Sequence, residues 1–111
     1  MPFDFGDVIL APFPFTNQSA VKQRPAVIVS TRRYNDMRRN IVITAVTSQL
    51  RPQPGSFGVA ILGWRAAGLL KPSVVKPLFA TLEKALVIRM LGSLDVADQT
   101  NLRNAIALIL S

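Results

Sequence analysis

The chain has 111 residues, and half of them are hydrophobic, so it is long enough for one domain with a single core and too apolar to be disordered. It contains no cysteine and no histidine, which excludes disulfides, zinc sites and histidine-based acid–base catalysis. The net charge is +7, with eight bases and one acid between residues 22 and 65 and five of each sign elsewhere. This basic block favours a polyanionic partner, nucleic acid first, over an arginine-rich face that only aids solubility.

Short apolar segments separated by turn residues predict strands along most of the chain. Residues 31–40 form a basic segment that we predict to be a loop, and the polar segments 16–23 and 49–58 are also predicted loops. Residues 85–94 are either a strand or a helical turn that runs into one. The predicted strands are 6–15, which ends in two prolines, then 24–30, 41–48, 59–62 and 73–82, the last with an edge or bulge at Pro77.

From Asp95 onward the apolar residues follow a helical period, and Asp95 or Ser93 is the expected N-cap. Leu108 and Leu110 widen the apolar face, which indicates burial in a core or in a subunit interface. One side of the helix is expected to carry Val96, Leu102, Ala105, Ile106 and Ile109. Together these elements predict a mainly β fold: a small, partly open barrel of about five to six antiparallel strands packed with a C-terminal helix.

No stretch reaches the ~18 apolar residues of a membrane-spanning helix, and the N-terminal segment carries acids where a signal peptide carries bases. We therefore expect a cytoplasmic protein without membrane association and a single domain over residues 1–111. The six carboxylates are scattered and no phosphate-binding glycine motif is present, so we expect neither a metal nor a cofactor.

Cleavage of RNA is one reaction that this set of side chains permits. The nucleophile, the 2′-hydroxyl, belongs to the substrate, and the protein needs only to assist its proton and to stabilise the crowded phosphorane. An arginine binds two phosphoryl oxygens at once, and hydroxyl groups add directional hydrogen bonds. Arg24 and Thr47 lie at the ends of two predicted strands that could be neighbours, so they could converge on one phosphate.

Five motifs, in this order along the chain, resemble the MazF/PemK family of bacterial toxin–antitoxin systems: GDV leading into PFPFT, RPAVIVS, YN at 34–35, TAVTSQ at 44–49 and GLLKPSVVK at 68–76. The resemblance implies an SH3-like barrel, a homodimer, and metal-independent, sequence-selective cleavage of single-stranded RNA such as mRNA. Such cleavage leaves 2′,3′-cyclic phosphate and 5′-hydroxyl ends. It also implies an antitoxin whose acidic, flexible segment covers the RNA groove, and DNA binding together with that antitoxin.

Carried over by motif, the family's catalytic pair falls on Arg24 and Thr47. The loop at 16–23 corresponds to the family's RNA-contacting loop, but it lacks the glutamate that several members carry there, so the general base is left open. The basic segment is expected to attract the RNA backbone. The residues predicted to bind substrate are Asn17, Gln18, Ser19, Lys22, Arg32, Arg33, Ser48 and Gln49.

Two other functions are compatible with this sequence. The first is a non-catalytic, CcdB-like toxin that binds gyrase, and the second is a barrel that binds RNA passively. Asp7 is expected to stabilise a turn. Phe15, Tyr34 and Trp64 either stack on unpaired bases or pack in the core.

Overall fold

The computed structural model of the chain describes residues 2–12, 22–48 and 57–110. Within these ranges the strands are β1 (Asp7–Pro12), β2 (Gln23–Ile28), β3 (Asn40–Thr47), β4 (Val59–Ile61), β5 (Ser73–Glu83) and β6 (Arg89–Ser93). The helices are α1 (Arg32–Met37), α2 (Val96–Leu110) and a short 3-10 turn at Lys84–Leu86.

The six strands form one antiparallel sheet in the order β4-β5-β3-β2-β1-β6. The sheet curls into a half-barrel, and α2 follows the last strand. This architecture confirms the predicted mainly β fold with a C-terminal helix. Residues 85–94 contain both predicted alternatives, since a 3-10 turn precedes β6.

The strands β1, β2 and β3 carry buried residues on both faces of the sheet, since adjacent residues of a strand point to opposite sides. In β1, for example, Val8 and Ile9 are both fully buried, and they belong to different apolar clusters. The cluster that includes Val8 also contains Leu102, so α2 covers this face of the sheet. The two-sided burial explains why the sequence of β1 is continuously apolar.

The segment between β4 and β5 packs closely against β6 at two glycines. Gly68 has φ of +83°, and a Cβ there would collide with the backbone carbonyl of Leu91. A Cβ at Gly92 would lie 2.6 Å from the carbonyl oxygen of Ala67. These contacts hold the segment that precedes Lys71 against β6, the edge strand farthest from β4. The segment thereby forms one wall of the site described below.

Residues 31–40 contain a helix, so the prediction of a loop there is wrong. Thr31 is the N-cap of α1, and its hydroxyl oxygen accepts a hydrogen bond from the Tyr34 backbone N–H at 3.2 Å. Asn35 is buried and donates to the backbone carbonyls of Phe3 and Ser30 at 2.9 and 3.1 Å. The cap and this inward-facing amide fix a helix of six residues, which is too short to show a periodic pattern.

Asp95 caps α2, as predicted, since its carboxylate accepts a hydrogen bond from the backbone N–H of Asp98 at 2.8 Å. Val96 was expected on the buried side of the helix, but it is the first residue of α2 and is exposed. Among the described residues, no helix is long and apolar enough to cross a membrane.

The predicted irregularity at Pro77 is confirmed. The pairing of β3 with β5 shifts between Thr44 and Val46, opposite the part of β5 that contains Pro77. Asp7 stabilises a turn, as predicted, because its carboxylate accepts hydrogen bonds from the Asp4 backbone N–H and the Ser93 hydroxyl, each at 2.8 Å.

Candidate active site

Arg24 and Thr47 lie at the same end of two neighbouring strands. The pairing of β2 with β3 matches Ala26 with Ala45, and the same register extended by two residues brings Arg24 opposite Thr47. Because the residue after Arg24 is Pro25, which has no N–H, the β2 strand cannot form a full ladder at this end. The Arg24 side chain is exposed there, and Thr47 is partly exposed.

Both residues line one open cleft of about 440 Å³. Its floor is apolar and includes Leu10 of β1 and Pro25 of β2, which are paired with each other in the sheet. The segment before β5 and the edge strand β6 form its other walls. The polar side chains around this floor are Arg24, Thr47, Ser48, Lys71, Ser73 and Arg89.

Three of these side chains are cations that reach the cleft from different parts of the chain. Arg24 comes from β2, Lys71 from the segment before β5, and Arg89 from β6. Arg89 is paired with Leu10 on β1, so it stands two strands from Arg24, about 10 Å across the sheet. None of the three forms an ion pair with another described residue. The cleft therefore presents uncompensated positive charge to whatever enters it.

The chain's carboxylates lie elsewhere. All six belong to described residues, and none of them lines the cleft. Asp4 and Asp7 lie beside the first turn, Asp36 is on α1, Glu83 ends β5, and the remaining two belong to α2 and its cap. With no histidine or cysteine in the chain, the groups that the described residues supply for chemistry in this cleft are cations, hydroxyls and backbone amides.

Sequence reasoning missed Lys71 and Arg89 as members of this site. Lys71 and Ser73 belong to the GLLKPSVVK motif, so a signal for them was present in the sequence. The Ser73 hydroxyl donates to the Lys71 carbonyl at 2.8 Å, which holds this segment in a turn at the cleft wall. Arg89 had no such signal, because its position depends on the pairing of β6 with β1.

The other predicted substrate-binding residues are distributed as follows. Ser48 lines the cleft next to Thr47, and Lys22 is exposed just before β2 but is not part of the cleft lining. Asn17, Gln18, Ser19 and Gln49 lie outside the described residues.

Arg32 and Arg33 do not join the cleft, because they are on α1, which follows the opposite end of β2. Arg32 forms ion pairs with Asp4 at 3.5 Å and with Asp36 at 3.3 Å, and both pairs are exposed. The basic segment and the cleft are therefore two separate positive surfaces. The prediction that Arg32 and Arg33 share the substrate-binding site of Arg24 and Thr47 is therefore not met by the cleft lining.

Solved structures of similar fold cover nearly the whole chain. A mycobacterial endoribonuclease in complex with its cognate antitoxin has a TM-score of 0.74 at 20% identity, over 98% of this chain and 93% of that one. The Mycobacterium tuberculosis toxin MazF-mt6 has a TM-score of 0.72 at 21% identity, over 92% and 93%. A MazE–MazF complex from Deinococcus radiodurans has a TM-score of 0.75 at 18% identity, over 100% and 97%. No curated protein sequence matches the chain.

The curled six-stranded sheet, its C-terminal helix and these structural similarities define the fold class of MazF and PemK toxins. In sequence, residues 4–110 match the family of PemK-like, MazF-like toxins of type II toxin–antitoxin systems. The chain belongs to this family.

Proposed function

We propose that this toxin is a metal-independent endoribonuclease that cuts single-stranded RNA in the cleft between Arg24, Thr47, Lys71 and Arg89. The observation that carries the proposal is the meeting of an arginine, three hydroxyls and two further cations in one cleft without a carboxylate. Phosphodiester RNA fits this composition, because its backbone is anionic and it carries its own nucleophile. Two structurally similar mycobacterial proteins are described as endoribonucleases, which supports the same reaction class.

In this proposal the scissile phosphate lies between Arg24 and Thr47. The 2′-hydroxyl oxygen attacks phosphorus, and the bond from phosphorus to the 5′-oxygen breaks, which leaves a 2′,3′-cyclic phosphate and a 5′-hydroxyl. The Arg24 guanidinium donates two hydrogen bonds to the non-bridging oxygens as their negative charge increases in the transition state. The Thr47 hydroxyl adds one directional bond, which helps to fix the phosphate for in-line attack.

Lys71 and Arg89 bind the backbone beside the scissile phosphate. Adjacent phosphates of a single strand need separate cations, and these two side chains reach the cleft from its other walls. The apolar floor around Leu10, Pro25 and Leu69 offers a surface on which a base can rest. Selection among bases then depends on the shape of this floor and on the loops around it.

The proton of the 2′-hydroxyl leaves without a carboxylate or an imidazole, since neither lines the cleft. We assign its removal to solvent hydroxide, which the three cations attract. The leaving 5′-oxygen takes its proton from water. The reaction therefore relies on charge stabilisation more than on general base catalysis.

The proposal includes the partners expected of such a toxin. The cleft's unpaired cations suit the acidic, flexible segment of an antitoxin, and two of the similar structures contain an antitoxin or its MazE counterpart. A homodimer is part of the proposal because α2 exposes Leu108 and Leu110. The site of action in this proposal is the cytoplasm, where mRNA is translated.

The first test incubates the protein with a long RNA in EDTA and identifies the ends of the products. We expect cuts at a short sequence motif, with cyclic phosphate and 5′-hydroxyl ends. Arg24→Ala should lower kcat/KM by about 100-fold to 1,000-fold, because it removes a donor to the developing oxyanion. Arg24→Lys should retain part of the activity, since it keeps the charge but loses the two-pronged geometry.

Arg103→Ala is the matched control, because Arg103 is an exposed arginine on α2 that lies outside the cleft lining. It should cut at the rate of the unchanged protein. RNA that is bound but intact under all conditions would contradict the nuclease and favour a passive RNA-binding barrel. Gyrase-dependent DNA breakage with RNA untouched would favour the CcdB-like alternative.

A further inference from the structure

The second positive surface consists of Arg33, Arg38 and Arg39, and we call it the α1 basic patch. All three side chains are exposed, and none forms an ion pair with a described residue. They lie within seven consecutive residues on α1 and the turn after it, so their charges act together on one region of solvent.

The acids near this patch leave its charge uncompensated. Asp36 accepts a hydrogen bond from Arg32 at 3.3 Å, so its carboxylate is directed toward that neighbour. Glu83 is paired with Asn40 at the start of β3, and it forms no ion pair with the described residues. Lys84 adds a further positive charge nearby, and its ammonium donates to the Asn35 carbonyl at 2.7 Å.

The patch also carries a planar surface. The Arg38 guanidinium lies over the Tyr34 ring, with its carbon 5.5 Å from the ring centroid. A guanidinium stacked on an aromatic ring offers a flat cationic face on which an unpaired base can stack. The apolar contribution is small, because Met37 is the only exposed large hydrophobic residue of α1. This composition suits a nucleic-acid strand better than a protein interface, which needs an apolar centre.

The patch and the cleft lie at opposite ends of β2. Arg24 is near the start of this strand and Ile28 is its last residue, which places about 13 Å of strand between them, and α1 begins four residues farther along the chain. A short RNA held in the cleft does not reach α1. A longer strand that leaves the cleft along the sheet does.

We propose that the α1 basic patch is a second contact for the backbone of the same RNA, remote from the cleavage site. The proposal rests on the proposed function, because it assigns the substrate of that function to a second surface. The patch adds affinity for long RNA and does not contribute to the chemical step.

The test compares two variants for binding and cutting of a short RNA of about five nucleotides and a long one of about 20 nucleotides. Arg38→Gln/Arg39→Gln removes two charges and one aromatic stack from the patch. Arg65→Gln/Arg103→Gln is the control, because it removes two charges and two stacks, on Trp64 and Phe5, elsewhere in the molecule. Binding is measured with the Arg24→Ala substitution also present. The affinity can then be determined whether or not the parent protein cuts RNA.

We expect the patch variant to bind the long RNA several-fold more weakly and the short RNA unchanged. The slope of log affinity against log salt for the long RNA should fall by about 1.4, since each backbone contact on a single strand contributes about 0.7. In the cutting assay, kcat/KM should fall for the long RNA alone. The control variant should match its parent in binding and in cutting of both the short and the long RNA.

Three results would overturn the inference. The first is unchanged affinity of the patch variant for the long RNA. The second is an equal loss of affinity for the short and the long RNA. The third is a loss of affinity for an acidic peptide competitor alone. The last would assign the patch to a protein partner. A parent protein that binds long RNA through the patch without cutting it would refute the proposed nuclease and leave the second contact intact.

Discussion

Lys71 and Arg24 both present positive charge to the cleft, but their head groups bind a phosphate differently. An arginine forms two parallel hydrogen bonds to one phosphoryl group, whereas a lysine ammonium acts as a compact point charge. In the proposed site Lys71 therefore contributes its charge, and Arg24 contributes both charge and geometry. A conservative substitution separates these two contributions.

Lys71→Arg should keep most of the activity, and Lys71→Gln should lower kcat/KM by about tenfold, because the proposal needs only the charge of Lys71. Initial rates with one RNA measure both. A Lys71→Arg protein as inactive as Lys71→Gln would contradict a role for the charge alone.

The pH dependence gives an independent measurement of the same chemistry. Without a carboxylate or imidazole in the cleft, log kcat should rise by about one unit per pH unit from about pH 5 to pH 8, with no plateau. A level region that begins near pH 4 or pH 6.5 would indicate an essential carboxylate or imidazole-like base in this pH range. Such a plateau would contradict the assignment to hydroxide.

Among the elements, α2 is tied to the end of β4 by the buried carboxylate of Asp98, in addition to apolar packing. Asp98 is 1% exposed, and its two carboxylate oxygens accept hydrogen bonds from the backbone N–H groups of Leu62 and Gly63 at 3.1 and 2.9 Å. These bonds hold the beginning of the segment that continues to Lys71. The same residue therefore fixes the position of the helix and supports one wall of the cleft.

Asp98→Asn should lower the free energy of unfolding by about 1–3 kcal/mol, because an amide can accept from only one of the two N–H groups and its own NH₂ faces the other. Denaturant titration followed by circular dichroism measures the change. Asp95→Asn is the control, since asparagine caps a helix as well as aspartate does. Equal stability of the two variants would show that the Asp98 hydrogen bonds add little.

The elements also show what the sequence can and cannot predict. Apolar runs bounded by turn residues were sufficient to predict the strands and α2, because alternation and helical period are local properties of the chain. The α1 helix was missed because its six residues are held by the Thr31 cap and by the contacts of buried Asn35 with distant carbonyls. Arg24 and Thr47 could be proposed from strand ends and a family motif. Arg89 could not, since only the pairing of β6 with β1 brings it to the cleft.

For the whole molecule, six of the thirteen basic residues are grouped on two surfaces. One is the cleft, which is concave and suits a phosphate held by several side chains at once. The other is the α1 basic patch, which is exposed on α1 and the turn after it and suits contacts with the backbone of any sequence. This division has a functional consequence, because affinity for long RNA can change without any change in the site that cuts it.

The last consequence for the whole molecule concerns its assembly. Leu108 and Leu110 are 72% and 69% exposed near the end of α2, although the side of the helix that carries Leu102 packs on the sheet. Large apolar side chains exposed near the end of a helix are costly to leave in water. A second copy of the chain would cover them, provided that each copy buries roughly 800 Å².

We therefore expect light scattering after gel filtration to give twice the 12.1 kDa mass of one chain. Leu108→Glu should shift the protein to the monomer mass, because burial of a carboxylate in an apolar interface opposes association. Met37→Glu, an equally exposed apolar position on α1, should leave the dimer intact. A parent protein that is monomeric at every concentration would refute the homodimer, and a dimeric Leu108→Glu protein would exclude this end of α2 from the interface.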